Sequence, residues 1–171
     1  MDENEKKTED VVNYVYLGML NFLSFKPRSE KEINDKLRKY ISRSHLSLRE
    51  KDIVKENVIS KLRESGYLKD SIDSDFSQSY ISGLINSGKT SNRKKIYQFL
   101  SKKGVDRDVI EKVLEGTPDD SFLQSALRDG EKKIRIMGDI DRYKKKRKLA
   151  DFLYRKGYSS DTVASVIDTL L

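Results

Sequence analysis

The segment KKIYQFLSKKGVDRDVIEKVL, residues 94–114, recurs as RKLADFLYRKGYSSDTVASVI at residues 147–167. The two copies align without a gap at an offset of 53 positions (94 to 147), so that Leu100 corresponds to Leu153 and Gly104 to Gly157. Apolar positions that match at a fixed period are typical of tandem structural repeats. This repeated segment therefore decides the fold.

Each copy predicts a helix, a tight turn at glycine and a second helix. Apolar residues recur at i, i+4 in the first half and at i, i+1, i+4, i+5 in the second half, which is the spacing of one helix face. A glycine that follows two cations suits the position just after a helix, where the backbone needs a positive φ and cations meet the negative helix end. Asp106 and Ser159 then stand where the next helix needs an N-cap.

The same chemistry divides the rest of the chain into further helices. Proline at Pro27 ends the first helix, and Ser29–Glu32 and Ser47–Glu50 are capping boxes that open the next two. Gly66, Gly88, Gly116 and Gly138 mark later breaks, Gly130 interrupts the apolar rhythm of a long helix, and Ser91 and the Thr117-Pro118-Asp119-Asp120 run predict further helix starts.

The prediction is nine helices in three triplets, because no run alternates between apolar and polar residues as a strand requires. The fold class is all-α, with three tandem three-helix repeats forming an elongated, curved array in which each unit packs on its neighbours. The predicted organisation is a flexible N-terminal tail at 1–9 and repeats at 10–68, 69–116 and 117–171.

Composition limits the classes of function. The 171 residues contain no cysteine, which excludes disulfides and thiolate metal sites and favours a reducing cytoplasm. The polar, mostly acidic N-terminus predicts no signal peptide, and no later segment approaches the length of a membrane span. A net charge of +7 makes a polyanion or an acidic protein surface a plausible partner.

The chain resembles the RecX family of bacterial recombination modulators. The resemblance runs from about Tyr14 to the C-terminus and depends on the order and spacing of several short motifs. These are Pro-Arg-Ser-Glu-x-Glu at 27–32, Gly-Tyr-Leu-x-Asp at 66–70, Phe76, Ser-Tyr-Ile at 79–81, Gly-Lys at 88–89, and the turns Lys-Lys-Gly-Val at 102–105 and Arg-Lys-Gly-Tyr at 155–158.

The resemblance implies a regulatory protein that binds the RecA nucleoprotein filament along its groove. It implies a lowering or modulation of recombinase, ATPase and co-protease activity, within homologous recombination, DNA repair and the SOS response. It implies no catalysis. The chain is further expected to have no cofactor and no membrane contact, to bind single-stranded and double-stranded DNA beside the filament, and to be a monomer.

Clustered cations are the candidate binding residues, because lysine and arginine on helices neutralise phosphates. The alternative for each of them is a solvated helix face. Tyr97 and Tyr154 lie beside the cations, where half-buried packing is the favoured interpretation over base stacking. The candidates are Arg93, Lys94, Lys95, Lys102, Lys103, Lys132, Lys133, Arg135, Arg142, Lys144, Lys145, Lys146, Arg147, Lys148, Arg155 and Lys156.

Other site types find little support in the sequence. The helix pairs have a helix–turn–helix outline, but no set of side chains suited to base readout opens a second helix. His45 stands alone in a polar loop, and the carboxylates near helix starts are explained by capping. An enzyme or a metal site is therefore not predicted. A general nucleic-acid-binding module without a recombinase partner stays open, and so does a scaffold that binds an acidic protein.

Overall fold

The computed structural model describes residues 3–87, 92–118 and 120–171. Within these ranges the chain forms nine α-helices and no strand, which confirms the all-α prediction. The helices are α1 Glu3–Ser24, α2 Glu30–Ser42, α3 Leu48–Glu64, α4 Ile72–Asn86, α5 Arg93–Lys102, α6 Arg107–Glu115, α7 Asp120–Arg135, α8 Arg142–Lys156 and α9 Ser160–Leu170.

The chain divides into two compact units. The first contains the residues up to Phe76 together with Lys103–Val105, and the second contains Ser77–Lys102 and Asp106–Leu171. In the first unit, α1, α2 and α3 pack pairwise around a core that includes Val15, Leu37 and Val58. In the second, α7, α8 and α9 pack pairwise, and α5 packs on α6. The three predicted repeat boundaries stay a prediction.

Most helix ends follow the local sequence as predicted. Both capping boxes form: the Ser29 hydroxyl accepts from the Glu32 amide at 3.3 Å, and the Ser47 amide donates to the Glu50 carboxylate at 2.7 Å. Gly104 and Gly157 have φ values of +79° and +88°, so both repeated turns use the left-handed conformation that glycine adopts without strain. Ser159 caps α9 through the Thr162 amide.

The starts of α1 and α5 differ from the prediction. Helix α1 begins at Glu3 rather than Asp10, because the Glu- and Lys-rich start has good helix propensity. Asn92 fills the N-cap position of α5, accepting from the Lys95 amide at 2.9 Å, whereas Ser91 lies outside the described residues. Asp106 occupies the N-cap position of α6, as predicted, but its side chain makes no capping hydrogen bond.

The start of α7 also differs. The Thr117 hydroxyl donates back to the Val113 carbonyl of α6 at 2.8 Å, so it is not the N-cap of α7, which begins at Asp120. Asp119 and the Gly88-Lys89 pair lie outside the described residues. Helix α7 continues through Gly130, where a Cβ would lie 2.8 Å from Leu170 Cδ1; the glycine therefore allows α7 and α9 to approach closely.

Candidate nucleic-acid interface

Helix α8 carries the densest group of candidate cations. Asp141 caps its start by accepting from the Lys144 amide at 3.1 Å, and Gly157 ends it in the left-handed conformation. Leu149 and Leu153 are buried and fix which side faces the core. The outward side exposes a row of three cations at i, i+4 and i+11, namely Lys144, Lys148 and Arg155.

A second exposed row lies beside the first on α8. It consists of Tyr143, Arg147 and Tyr154, again at i, i+4 and i+11. The side chains of Tyr143 and Tyr154 are 75% and 50% exposed. Half of Tyr154 is therefore covered and half is open to solvent, whereas Tyr97 of α5 is more deeply buried.

Helix α5 repeats part of this arrangement. Ile96 and Leu100 are its buried residues, as Leu149 and Leu153 are in α8. Lys94, Lys95 and Lys102 are exposed and correspond to Arg147, Lys148 and Arg155 in the sequence repeat. The repeat thus presents cations at equivalent positions on two helices of the second unit.

The end of α8 meets the start of α5. A Cβ placed on Gly157 would lie 3.1 Å from Lys94 Cβ, so a side chain there would require Lys94 to shift, and glycine allows this close approach. The exposed cations at the end of α8 therefore lie near those at the start of α5. We call this set the basic track: Lys94, Lys95, Lys102, Lys144, Arg147, Lys148 and Arg155.

Arg93 has a structural role at the entrance of α5. Its guanidinium donates to the carbonyls of Leu114 and Thr117, the latter at 2.8 Å, and lies 5.4 Å from the centre of the Phe122 ring. A cation with several donors is well suited to the free carbonyls at a helix end. Arg93 thereby holds the end of α6 and the following turn against the start of α5.

Lys103 is held by an ion pair in the first unit. Its ammonium donates to the Glu32 carboxylate at 2.6 Å, and both side chains are half-buried. Partial burial raises the pKa of Glu32, but the hydrogen bond and charge of Lys103, the Ser29 amide and Arg28 outweigh it and hold that pKa below its usual value. Lys103 therefore stabilises the turn after α5.

Lys156 is held by the buried carboxylate of Asp129, which is only 5% exposed. The Lys156 ammonium lies 3.3 Å from one Asp129 oxygen, and the Tyr158 hydroxyl donates to the other at 2.9 Å. Burial raises the pKa of Tyr158, and the hydrogen bond and charge of Asp129 raise it further. This triad fastens the turn after α8 to α7.

The remaining candidates separate by exposure. Lys133 and Lys156 lie 5.4 and 5.2 Å from the centre of the Phe152 ring, and Lys145 lies 3.9 Å from Asp139. Lys146 is half-buried. Lys132, Arg135 and Arg142 are exposed near the ends of α7 and α8. The sixteen candidates thus divide into the basic track, a peripheral group and residues that hold the fold.

Other site types can be assessed from the same geometry. His45 is exposed in the loop between α2 and α3. Within the described ranges, no group of three or more His, Cys, Asp or Glu side chains could hold a metal ion. None of the helices in the described part of the chain combines the length and apolar character needed to cross a membrane.

Comparison with known proteins identifies the family. Residues 119–167 match the model of the third three-helix domain of RecX. Over 160 residues the chain is 30% identical to the Regulatory protein RecX of Listeria monocytogenes, covering 92% of this chain and 54% of that protein. The crystal structure of RecX from Lactobacillus salivarius aligns with a TM-score of 0.71 at 28% identity, covering 95% of this chain and 97% of that chain. The chain belongs to the RecX family.

The relatives also differ from this RecX-family chain in length. The Regulatory protein RecX of Oceanobacillus iheyensis is 26% identical over 163 residues, which cover 95% of this chain but 55% of that protein. The chain spans about half the length of the curated relatives it matches. Those relatives are named regulatory proteins.

Sequence reasoning missed the Asp129–Tyr158 pair in this RecX-family chain. One signal was available: Phe122, Ala126, Asp129 and Gly130 share the i, i+4, i+7, i+8 spacing of a buried face. An aspartate on such a face requires a buried donor. Which donor it meets depends on how α7 packs against the turn after α8, and this is tertiary information.

Proposed function

We propose that this chain binds a RecA–DNA filament and regulates its recombinase, ATPase and co-protease activity. The observation that supports this most directly is the basic track, because its cations are exposed on two helices that meet at Gly157 and Lys94. Exposed cations along helices suit a polyanionic partner. The name of the relatives, Regulatory protein RecX, supports regulation rather than catalysis.

The proposed mechanism is occupancy of the filament. A molecule bound across adjacent recombinase subunits would exclude incoming duplex or a repressor that the filament helps to cleave. The basic track would contact the bound DNA strand or acidic rims of the protein. In this proposal the chain acts as a monomer in the cytoplasm, as three repeats at 10–68, 69–116 and 117–171, without a cofactor.

The test is ATP hydrolysis by the cognate RecA on single-stranded DNA, titrated with this protein. We expect inhibition at levels well below one molecule per recombinase, since one bound molecule then acts on many subunits. The triple charge reversal K144E/K148E/R155E should raise the concentration needed by roughly tenfold or more, because phosphate contacts are lost. No change in hydrolysis at an excess of the protein would contradict the proposal.

A matched control separates the basic track from net charge. Arg38, Arg49 and Lys55 are exposed in the first unit, so R38E/R49E/K55E makes the same change in charge away from the track. We expect this variant to inhibit like the wild type. Equal losses in both triple variants would mean that overall charge, and not the track, governs the effect.

The second candidate is a nucleic-acid-binding module that acts without a recombinase. The exposure of the whole basic track favours it, because phosphates alone could satisfy those cations. Such a module should bind bare single-stranded DNA tightly, and its affinity should fall steeply with salt. Tight binding of bare DNA together with unchanged RecA hydrolysis would select this candidate.

A further inference from the structure

Helix α8 exposes two aromatic rings on its outward side. Tyr143 and Tyr154 are 75% and 50% exposed, although α8 has a well-formed core side at Leu149 and Leu153. Eleven residues separate the two tyrosines, which is about 16 Å along a helix axis. Arg147 lies between them on the same row. The row therefore exposes three planar groups to solvent, namely two phenol rings and one guanidinium, and a guanidinium can stack on a base as an aromatic ring does.

The neighbouring row of α8 supplies charge. Each of its cations follows a member of the aromatic row by one position: Lys144 follows Tyr143, Lys148 follows Arg147 and Arg155 follows Tyr154. One residue corresponds to a turn of about 100° around a helix, so the two rows form the two edges of the outward side of α8. One side of α8 thus combines stacking surfaces with phosphate ligands.

From this geometry we infer that α8 binds single-stranded nucleic acid through its bases. Unpaired bases stack on Tyr143 and Tyr154, and the intervening phosphates contact Lys144, Lys148 and Arg155. A strand held this way needs both a cationic groove or row and aromatic platforms, and the stacking tolerates any base sequence. A duplex cannot use the platforms because its base faces are covered by pairing and stacking. The inference rests on the proposed function, in which the basic track meets DNA.

Helix α5 provides an internal contrast. Its exposed Lys94, Lys95 and Lys102 repeat the cations, but Ser101 stands at the position of Tyr154. The tyrosine of α5, Tyr97, is half-buried and corresponds to Ala150 rather than to either exposed ring. Helix α5 therefore contributes charge without base contacts, and the discrimination between unpaired and paired strands belongs to α8.

One carboxylate limits the site. Asp151 is exposed on the outward side of α8, between the two rows, and its counterpart in α5 is the neutral Gln98. A negative charge there repels a phosphate at short range, so it keeps the backbone of a bound strand away from the middle of the outward side and next to the cationic row. The arrangement agrees with base stacking on the row that includes Tyr154.

The experiment compares two strands with equal numbers of phosphates. Binding of the full chain to a labelled oligothymidylate of about 15 nucleotides is measured by fluorescence anisotropy at low salt, beside an abasic strand of the same length and a duplex. We expect the wild type to prefer oligothymidylate over the abasic strand by roughly tenfold, as one or two stacked bases provide. In Y143L/Y154L this preference should disappear, while binding to the abasic strand and the duplex stays within about twofold.

Two further variants keep the result interpretable. Y143F/Y154F retains the rings and should retain the preference. Y14L/Y67L removes two exposed tyrosines of the first unit, and it should behave as the wild type. Equal binding of both strands by the wild type, or a preference that survives in Y143L/Y154L, overturns the inference. If RecA hydrolysis is still inhibited in that case, the proposed function stands on phosphate or protein contacts alone.

Discussion

The turns after α5 and α8 come from the same repeated sequence, yet they are fastened by different chemistry. In the first unit, Gly104 packs on Lys31, the Ser29 hydroxyl donates to the Lys103 carbonyl at 2.7 Å, and Lys103 pairs with Glu32. In the second unit, Gly157 packs on Lys94, and Lys156 pairs with Asp129.

The difference follows from one position in the receiving helix. The third residue of α2 is Glu32, which both completes a capping box and binds the lysine of the turn. The third residue of α5 is Lys95, which cannot bind another lysine. The carboxylate then comes from Asp129 of α7, and its burial requires a second donor, Tyr158. The backbone geometry of the turn is thus repeated, while the polar partner depends on the neighbouring helix.

The largest expected effect concerns the buried contacts of Asp129 with Lys156 and Tyr158. D129A should lower the free energy of unfolding by about 3 kcal/mol, because it leaves the Tyr158 hydroxyl and the half-buried Lys156 ammonium without their acceptor. E32A should cost only about 1 kcal/mol, since the Glu32 carboxylate is half-buried whereas that of Asp129 is almost fully buried. Denaturant unfolding of both variants measures the contrast. Equal losses would mean that the two turns are fastened with equal strength.

The glycines allow a second, smaller test. Gly66 has a φ of +74° and open space around it, so G66A should report the backbone cost alone, about 1 kcal/mol. A Cβ would lie 3.1 Å from Lys94 Cβ at Gly157 and 2.8 Å from Lys31 Cβ at Gly104. The expected order of destabilisation is G66A, then G157A, then G104A at about 2 kcal/mol. If all three cost the same, the close approach contributes nothing to the turn.

The smallest expected effects are on the pH dependence of the free energy of unfolding. Glu32 in the first unit and Tyr158 in the second change it in opposite directions. The lowered pKa of Glu32 means that its stabilising contribution is complete above 4.5, the ordinary value, and is lost as pH falls through the lower folded value. The raised pKa of Tyr158 means that its contribution is complete below the ordinary value of 10.0 and decreases as pH rises above it.

Unfolding free energy measured against pH checks both directions. E32Q should flatten the acid side of the curve by about 1 kcal/mol or less, and Y158F should flatten the alkaline side. Each variant also serves as the control for the other, because E32Q should leave the alkaline side unchanged. A flattening on the wrong side in either variant would contradict the assignment of the two groups.

Local features of this chain could be predicted from its sequence because they depend on a few adjacent residues. The capping boxes at Ser29 and Ser47 and the left-handed turns at Gly104 and Gly157 are of this kind. The candidate site could be predicted only as a set of cations. Lys144, Lys145 and Lys146 are adjacent in sequence but point about 100° apart, so Lys144 is exposed while the other two are half-buried.

The remainder required tertiary structure. Asp129 is a charged residue, of a type that ordinarily lies on the surface. Its burial depends on a hydrogen bond from Tyr158, which lies in the turn between α8 and α9. Asp106 and Ser159 occupy equivalent positions in the repeat, yet only Ser159 makes a capping bond. The elongation and curvature predicted for the array stay a prediction, as do the contact residues of the basic track.

The three fastened cations have a consequence for how sequence variation in this family can be interpreted. Arg93 satisfies two carbonyls at the end of α6, and one ammonium could not reproduce that fork. Selection for folding alone would therefore keep an arginine there, and a lysine at 103 and 156, in a protein that had lost its ligand altogether. Drift at exposed members of the basic track, such as Lys94, Lys148 or Arg155, would instead record a change of partner.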